Sequence, residues 1–160
     1  MGTATVARAA EDFLGQRRIA VAGVSRTPAA HGGNVIYKRL KERGYEVFAV
    51  NPNAEVVEGD TCYHDLASIP GGVDAVVIAT NPRDTAAVVD DCARLGIRRV
   101  WMHRSFGAGS VEPASVAAGR AKGMTVIAGG CPLMFEPASD TAHRCIGWIV
   151  GHTGSRPTAG

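Results

Sequence analysis

Five short apolar runs, each closed by a glycine, a proline or a polar residue and each followed by a segment of helical or polar character, constrain this chain most. The runs are RRIAVAGV from Arg17, YEVFAVNPN from Tyr45, VDAVVIATNP from Val73, IRRVWMH from Ile97 and MTVIAGG from Met124. Short continuous apolar runs mark strands buried on both faces, the condition of a parallel sheet covered by helices. Between them lie amphipathic stretches. GNVIYKRLKERG carries Val35, Ile36 and Leu40 and stops at Gly44; RDTAAVVDDCARLG puts Ala86, Val89, Cys92 and Leu95 near one face and stops at Gly96. Glycine in these places is a helix C-terminal signal. EPASVAAGRAKG from Glu112 is a further helix. Strands alternating with helices predict an α/β fold, a doubly wound parallel sheet in a single domain with right-handed crossovers.

The remaining segments are placed around that frame. Val6, Ala9, Ala10, Phe13 and Leu14 have helical spacing, so residues 1–16 are expected to hold a helix packed on a domain of residues 17–150. EVVEGDTCY reads as a hairpin-like excursion turning at Gly59–Asp60, DLASIP as one helical turn and EPASDTAHRCIGWIVG as a last helix. Its Trp148 and Ile149 are a candidate surface for a homodimer, with packing inside the monomer as the alternative. Residues 151–160, HTGSRPTAG after Gly151, are expected to be disordered.

A length of 160 residues is enough for one real core. The formal charge of +2 gives no electrostatic footprint for nucleic acid or a membrane surface. No apolar run approaches the roughly 20 residues of a membrane span, and the N-terminal segment lacks the basic start and apolar centre of a signal peptide. The expected location is the cytoplasm. Cys62, Cys92, Cys131 and Cys145 are widely spaced with no CxxC pair, which fits reduced thiols in or near a core.

Ligands of doubly wound sheets sit beyond the carboxyl ends of the strands. Four polar or proline-bearing tips meet there: GVSR, VNPN, ATNP and MHRS. The first has Gly23 at the strand end, but Ser25 stands where a second fingerprint glycine would be, and Gly32 and Gly33 come later, so GxGxxG is absent. The GxxxxGK[ST] pattern is absent too. Backbone N–H groups near Ser25 and at the helix start near Asn34 are expected to face a phosphate, with the Ser25 hydroxyl and the Arg26 guanidinium beside them. The second strand ends at Asn51–Pro52, where an NAD site carries an acidic residue for the ribose hydroxyl. An amide does not repel a phosphorylated ribose, and Arg26, His31 or Arg83 could supply countercharge. At the third tip the backbone of Ala79, Thr80, Asn81 and Pro82 could read an adenine edge; equally, Asn81 is placed to cap the next helix with Pro82 at its first position.

Taken together, IAVAGVSR, GYEVFAVNPN, GDTCYHDLASIP, VDAVVIATNP and GIRRVWMH resemble the CoA-binding domain family, over roughly Arg17 to Gly130. The family is Rossmann-like, found within succinyl-CoA synthetases and as small stand-alone proteins. The resemblance implies coenzyme A, or an acyl-CoA, as ligand. It implies the pyrophosphate on Gly23, Val24, Ser25 and Arg26 with the helix start near Asn34, Asn51 and Pro52 bordering the nucleotide, and Thr80, Asn81 and Pro82 bordering the adenine. A ribose 3′-phosphate accords with the missing acidic residue. The fourth tip, MHRSFGAGSVEP, departs from the family pattern: His103, Arg104 and the loop with Gly107 and Gly109 are placed to cover the pantetheine or a small acyl group, or to block it.

His103, His143 and His152 have no nearby nucleophile elbow, and His143, Cys145 and Cys131 match no standard zinc spacing. The leading expectation is therefore a non-catalytic binding or regulatory protein with His103 among its ligand contacts. The alternatives are an enzyme using an acyl-CoA or NAD(P), with His103 as acid/base, and a regulatory subunit that has lost its ligand.

Overall fold

The computed structural model describes residues 5–27, 32–104, 107–145 and 156–160. His31, Trp148, Ile149 and His152 lie outside the described residues. Helix α1 (Val6–Leu14) is followed by β1 (Arg18–Ala22), α2 (Gly32–Glu42), β2 (Glu46–Val50), β3 (Val56–Val57), β4 (Asp60–Tyr63) and β5 (Ala75–Ile78). Then come α3 (Pro82–Arg94), β6 (Arg99–Met102), α4 (Pro113–Ala121), β7 (Thr125–Ala128) and β8 (Thr158–Ala159). The sheet order is β3-β4-β2-β1-β5-β6-β7-β8. The inner strands from β4 to β7 are parallel, while β3 and β8 are antiparallel edges. The parallel part is the doubly wound order of the Rossmann fold, with its switch point between β1 and β5.

The apolar runs are strands because both faces are covered. Ile19, Val21, Ala75, Val77, Trp101 and Ile127 pack on the face that carries α1 and α2, with Phe13, Ile36 and Leu40. Their alternates Ala20, Ala22, Val76, Ile78, Val100, Met102 and Val126 pack on the other face, with Val89, Cys92 and Val116 from α3 and α4. Period-2 alternation distributes one apolar run over two cores. Phe13 meets the fully buried Trp101 edge-on at 5.4 Å, fastening α1 to the sheet.

Several local expectations change. The β3–β4 hairpin turns at Glu58–Gly59, one residue earlier than expected, with φ of 52° and 79°. Two positive φ values are the type I′ geometry that matches strand twist. DLASIP forms successive turns instead of a helical one: the Asp65 carboxylate accepts from the Ser68 N–H at 2.8 Å, holding an acceptor-capped turn. On α3 the buried side chains are Thr85, Val89 and Cys92. Ala86 and Leu95 are exposed, and Thr85 takes the buried place, its hydroxyl bonded to the Ser110 carbonyl. Residues 141–145 are helical, behind an Asp140 carboxylate that accepts from the His143 N–H at 2.8 Å.

The expected disordered tail is corrected at its described end. Thr158 and Ala159 pair with Ala128 and Ile127, and the Val126 N–H donates to the Gly160 carbonyl at 2.9 Å. An open β7 edge has unpaired backbone groups, which a short extended tail satisfies whatever its side chains. Cys62, Cys92 and Cys131 are buried; Cys145 is exposed.

Candidate functional site

The site begins where three strand ends crowd together. Gly23 follows β1 with φ of 96°, and its N–H donates to the Val50 carbonyl at 3.0 Å. A Cβ there would stand 2.6 Å from the Ala79 carbonyl oxygen, so position 23 excludes side chains on both backbone and steric grounds. Gly33, in the first turn of α2, is under the same pressure: its Cβ would lie 3.0 Å from the Gly23 carbonyl oxygen and 3.1 Å from the Ala79 Cβ. The β1 loop, the β5 tip and the α2 start are thus in near-backbone contact. The N–H groups of a first helical turn lack carbonyl partners within the helix, so this junction presents donors.

Beyond it opens a cavity of about 790 Å³, within the range of small-molecule sites. Of the residues singled out from sequence, Gly23, Val24, Ser25, Asn51, Pro52, Ala79, Thr80, Asn81 and His103 line it. Arg83 lines it as well, exposed and 3.8 Å from the Asp84 carboxylate. Arg26 is exposed and outside the cavity wall, and Pro82 is the first residue of α3. Asn81 is the N-cap residue by position, in extended conformation, but its side chain makes no capping bond.

Asn34 stands behind the wall. Only 2% exposed, it accepts from the Ser25 N–H at 2.8 Å and donates to the Ser25 carbonyl and to the Glu58 carboxylate, each at 2.9 Å. The Ser25 N–H is therefore committed inside the protein and does not face the cavity, contrary to the expectation for that group. The Ser25 hydroxyl accepts from the Thr27 N–H at 3.1 Å. Asn51 is similarly occupied: its amide donates to the Val24 carbonyl at 2.8 Å and accepts from the Asn53 N–H at 2.8 Å. The buried amide of Asn34 and the half-buried amide of Asn51 thus fix the β1 loop against α2 and against the β2 tip.

His103 closes the cavity on the α2 side; a Cβ on Gly32 would stand 2.8 Å from its Cε1. Burial pushes its pKa down to about 4, with a smaller push from His143, so its imidazole is neutral at pH 7. A neutral imidazole carries one donor and one acceptor and supplies no countercharge. His143 Nδ1–H donates to the Asp140 carboxylate at 2.8 Å. The segment after His103 returns through Ser110, whose N–H donates to the His103 carbonyl at 2.8 Å and whose hydroxyl donates to the Thr80 carbonyl at 2.6 Å. The buried Thr85 hydroxyl donates to the Ser110 carbonyl at 2.8 Å. Ser110 is thereby tied to His103, the β5 tip and α3.

Sequence reasoning missed the far wall. Asp84, Ala87, Val88 and Asp91 line it from one stripe of α3, opposite His64, Asp65 and Leu66 after β4. Their i, i+3, i+4, i+7 spacing is a legible signal, but it reads as a solvated helix face until the β4–β5 loop is known to stand across from it. Among the described residues no group of three or more His, Cys, Asp or Glu side chains is arranged to hold a metal.

Comparisons with known proteins bear on this geometry. A model of the CoA binding domain matches residues 17–137. An ADP-forming acetate–CoA ligase II of Archaeoglobus fulgidus is 34% identical over 89 residues, which are 54% of this chain and 13% of the ligase. The alpha subunit of an ADP-forming acetate–CoA ligase II from Pyrococcus furiosus is 35% identical over 89 residues, 55% of this chain and 19% of that subunit. The chain thus spans less than a fifth of the length of these curated relatives. A hypothetical protein from Pyrococcus horikoshii superposes with a TM-score of 0.72 at 25% identity, over 83% of this chain and 94% of that one.

Proposed function

The chain belongs to the CoA binding domain family, and from that premise we propose that it binds coenzyme A or an acyl-CoA in the cavity at the β1/β5 switch point, as a binding unit without turnover of its own. The observation that carries the reading is the near-contact of Gly23, Gly33 and Ala79, which leaves backbone and no side chain where a pyrophosphate would approach. In this reading the pyrophosphate rests against Gly23, Val24 and Ser25 and is held by the first turn of α2, where the helix N–H donors and dipole favour an anion. Asn34 holds the loop in shape rather than touching ligand. Asn51 and Pro52 border the ribose, and the absence of a carboxylate at Asn51 leaves room for the 3′-phosphate, with Arg83 as the cation lining the cavity. Ala79, Thr80 and Asn81 border the adenine.

A binding role is favoured over acid/base catalysis by the state of His103. A general base works best with a pKa near the operating pH, and that of His103 is depressed to about 4. The ligase activities named for the relatives belong to much longer proteins.

The test is calorimetric titration of the purified protein with CoA, 3′-dephospho-CoA and NAD. CoA is expected to bind, dephospho-CoA more weakly and NAD not at all. Ser25→Glu is expected to abolish CoA binding, since a carboxylate in the cradle repels the pyrophosphate. Preferential binding of NAD, or CoA affinity unchanged in the Ser25 variant, overturns this assignment.

A further inference from the structure

The segment that closes the cavity carries a cation that no acidic side chain among the described residues neutralises. Arg104 follows His103 at the carboxyl end of β6, and its N–H donates to the Gly130 carbonyl at 2.9 Å. The side chain is partly buried. Its guanidinium lies along Gly129 at the end of β7: a Cβ on Gly129 would stand 3.3 Å from Nη2 and 3.6 Å from Nε. Its own Cβ is packed so closely against Gly109 that a side chain there would stand 2.6 Å away. Gly109 and Gly129, both with positive φ, thus flank the arginine on two sides.

Within this enclosure the Nε is buried and has no hydrogen-bond partner, the one such side-chain atom among the described residues. No ion pair among the described residues reaches Arg104. All fifteen Asp and Glu side chains of the sequence belong to described residues, and none of them is paired with Arg104. Arg120, the comparably placed arginine at the other end of β7, donates instead to the Gly160 and Val126 carbonyls. A guanidinium is always charged, and leaving one of its donors buried and unpaired is costly. Such a group is explained when an anion arrives from outside.

We propose that Arg104 is the specificity residue for a carboxylate carried on the acyl group of an acyl-CoA, so that the preferred ligand is the thioester of a dicarboxylic acid. The proposal rests on the CoA reading above. The arginine stands at the same carboxyl edge of the sheet as the cavity, on the residue next to cavity-lining His103. From the switch point it lies beyond β5, toward β6 and β7, about two strand spacings of roughly 4.8 Å away. The acyl end of the ligand is the part free to extend along that edge once the pyrophosphate is held near Gly23. A carboxylate accepts two parallel N–H bonds from the planar guanidinium fork, and the orphaned Nε is one tine of that fork.

The experiment compares acyl-CoA esters of matched chain length: succinyl-CoA against butyryl-CoA, and glutaryl-CoA against valeryl-CoA, with CoA, acetyl-CoA and 3′-dephospho-CoA alongside. In the wild-type protein at least one dicarboxylic ester is expected to bind on the order of tenfold more tightly than its neutral counterpart, the gain of a charge-assisted bond. Arg104→Met is expected to erase that preference while CoA itself still binds, and to raise the melting temperature because an unpaired cation has been removed. The dephospho-CoA arm separates sources of anion: if Arg104→Met instead removes the preference for CoA over dephospho-CoA, the guanidinium serves the 3′-phosphate and the acyl assignment is overturned. Equal binding of every charged and neutral pair overturns it as well, with the CoA reading intact. So does a preference that survives in Arg104→Met, or a melting temperature that falls by several degrees, which marks an arginine paired for structural reasons. Failure of CoA itself to bind overturns the underlying reading and this proposal together.

Discussion

Replacing Asn34 tests whether the β1 loop owes its shape to a single buried amide. Three hydrogen bonds converge on that side chain, two to the backbone of Ser25 and one to Glu58, all between 2.8 and 2.9 Å, and the residue is 2% exposed. Asn34→Ala removes all three and adds a small void. At about 1 kcal/mol for each neutral bond and about 2 kcal/mol for the one to a carboxylate, the loss is about 4 kcal/mol, reduced where water reaches the freed Glu58. Asn34→Asp sharpens the case. It keeps an acceptor for the Ser25 N–H but sets a second carboxylate beside the Glu58 oxygen and opposite the Ser25 carbonyl. Above the carboxylate pKa range it should be destabilised at least as much as the alanine variant; on acidification to about pH 4 one of the two acids takes up a proton and part of the loss is recovered. Glu58→Gln combined with Asn34→Asp should restore part of the stability at neutral pH, because the like-charge contact is gone. The assay is urea denaturation of the four proteins at pH 7 and pH 4.5, with CoA titration of those that remain folded. A stability of Asn34→Ala within about 0.5 kcal/mol of wild type, the range of an ordinary surface change, or no gain from the second substitution, refutes the role assigned to this amide.

Other positions yield shorter tests. Gly23→Ala forces a side chain to φ of 96° and against the Ala79 carbonyl; it should lose about 3 kcal/mol or more, measured as the urea midpoint, and CoA binding with it. Ser110→Ala removes the bond to the Thr80 carbonyl; a cost of about 1–2 kcal/mol is expected, with faster amide exchange in loop 103–110 as the local readout. His103 adds a pH dependence with a definite sign. Its folded pKa of about 4 lies below the unfolded value near 6.5, so between those values the unfolded chain binds the additional proton and stability falls as the pH is lowered from 6.5 toward 4. The full effect is about 3 kcal/mol, and the wild-type curve minus that of His103→Gln should show it, while matching slopes for the two proteins over that window would place the imidazole in a wetter setting.

What was legible without coordinates was whatever local pattern reports directly. The five core strands of the parallel sheet could be read because burial on both faces leaves an apolar run that no exposed strand needs. Asn51–Pro52 and Ala79–Pro82 could be read as strand tips because a doubly wound sheet puts all such tips at one edge, and of these Asn51, Pro52, Ala79, Thr80 and Asn81 line the cavity wall. The order of the fingerprint, one glycine at the strand end and none at Ser25, was equally plain in the letters.

Other features depended on distance in space. Asn34 was expected near a phosphate, but its amide turns inward because Glu58, 24 residues away, comes to rest beside it on the β3–β4 hairpin. The stripe from Asp84 to Asp91 became a cavity wall only because Leu66 and its neighbours stand opposite. Two-residue β8 has no periodicity to detect and exists because β7 leaves an edge to be paired. Arg104 is one arginine among many in the letters, and only packing between Gly109 and Gly129 shows that its Nε is enclosed without an acceptor. The sheet, its layers and the edge at which the cavity opens follow from the sequence, since they depend on which residues avoid water at a local period. Tertiary structure alone decided which polar groups are already satisfied and which remain to meet a ligand, because a hydrogen bond is made between atoms brought together by the whole fold.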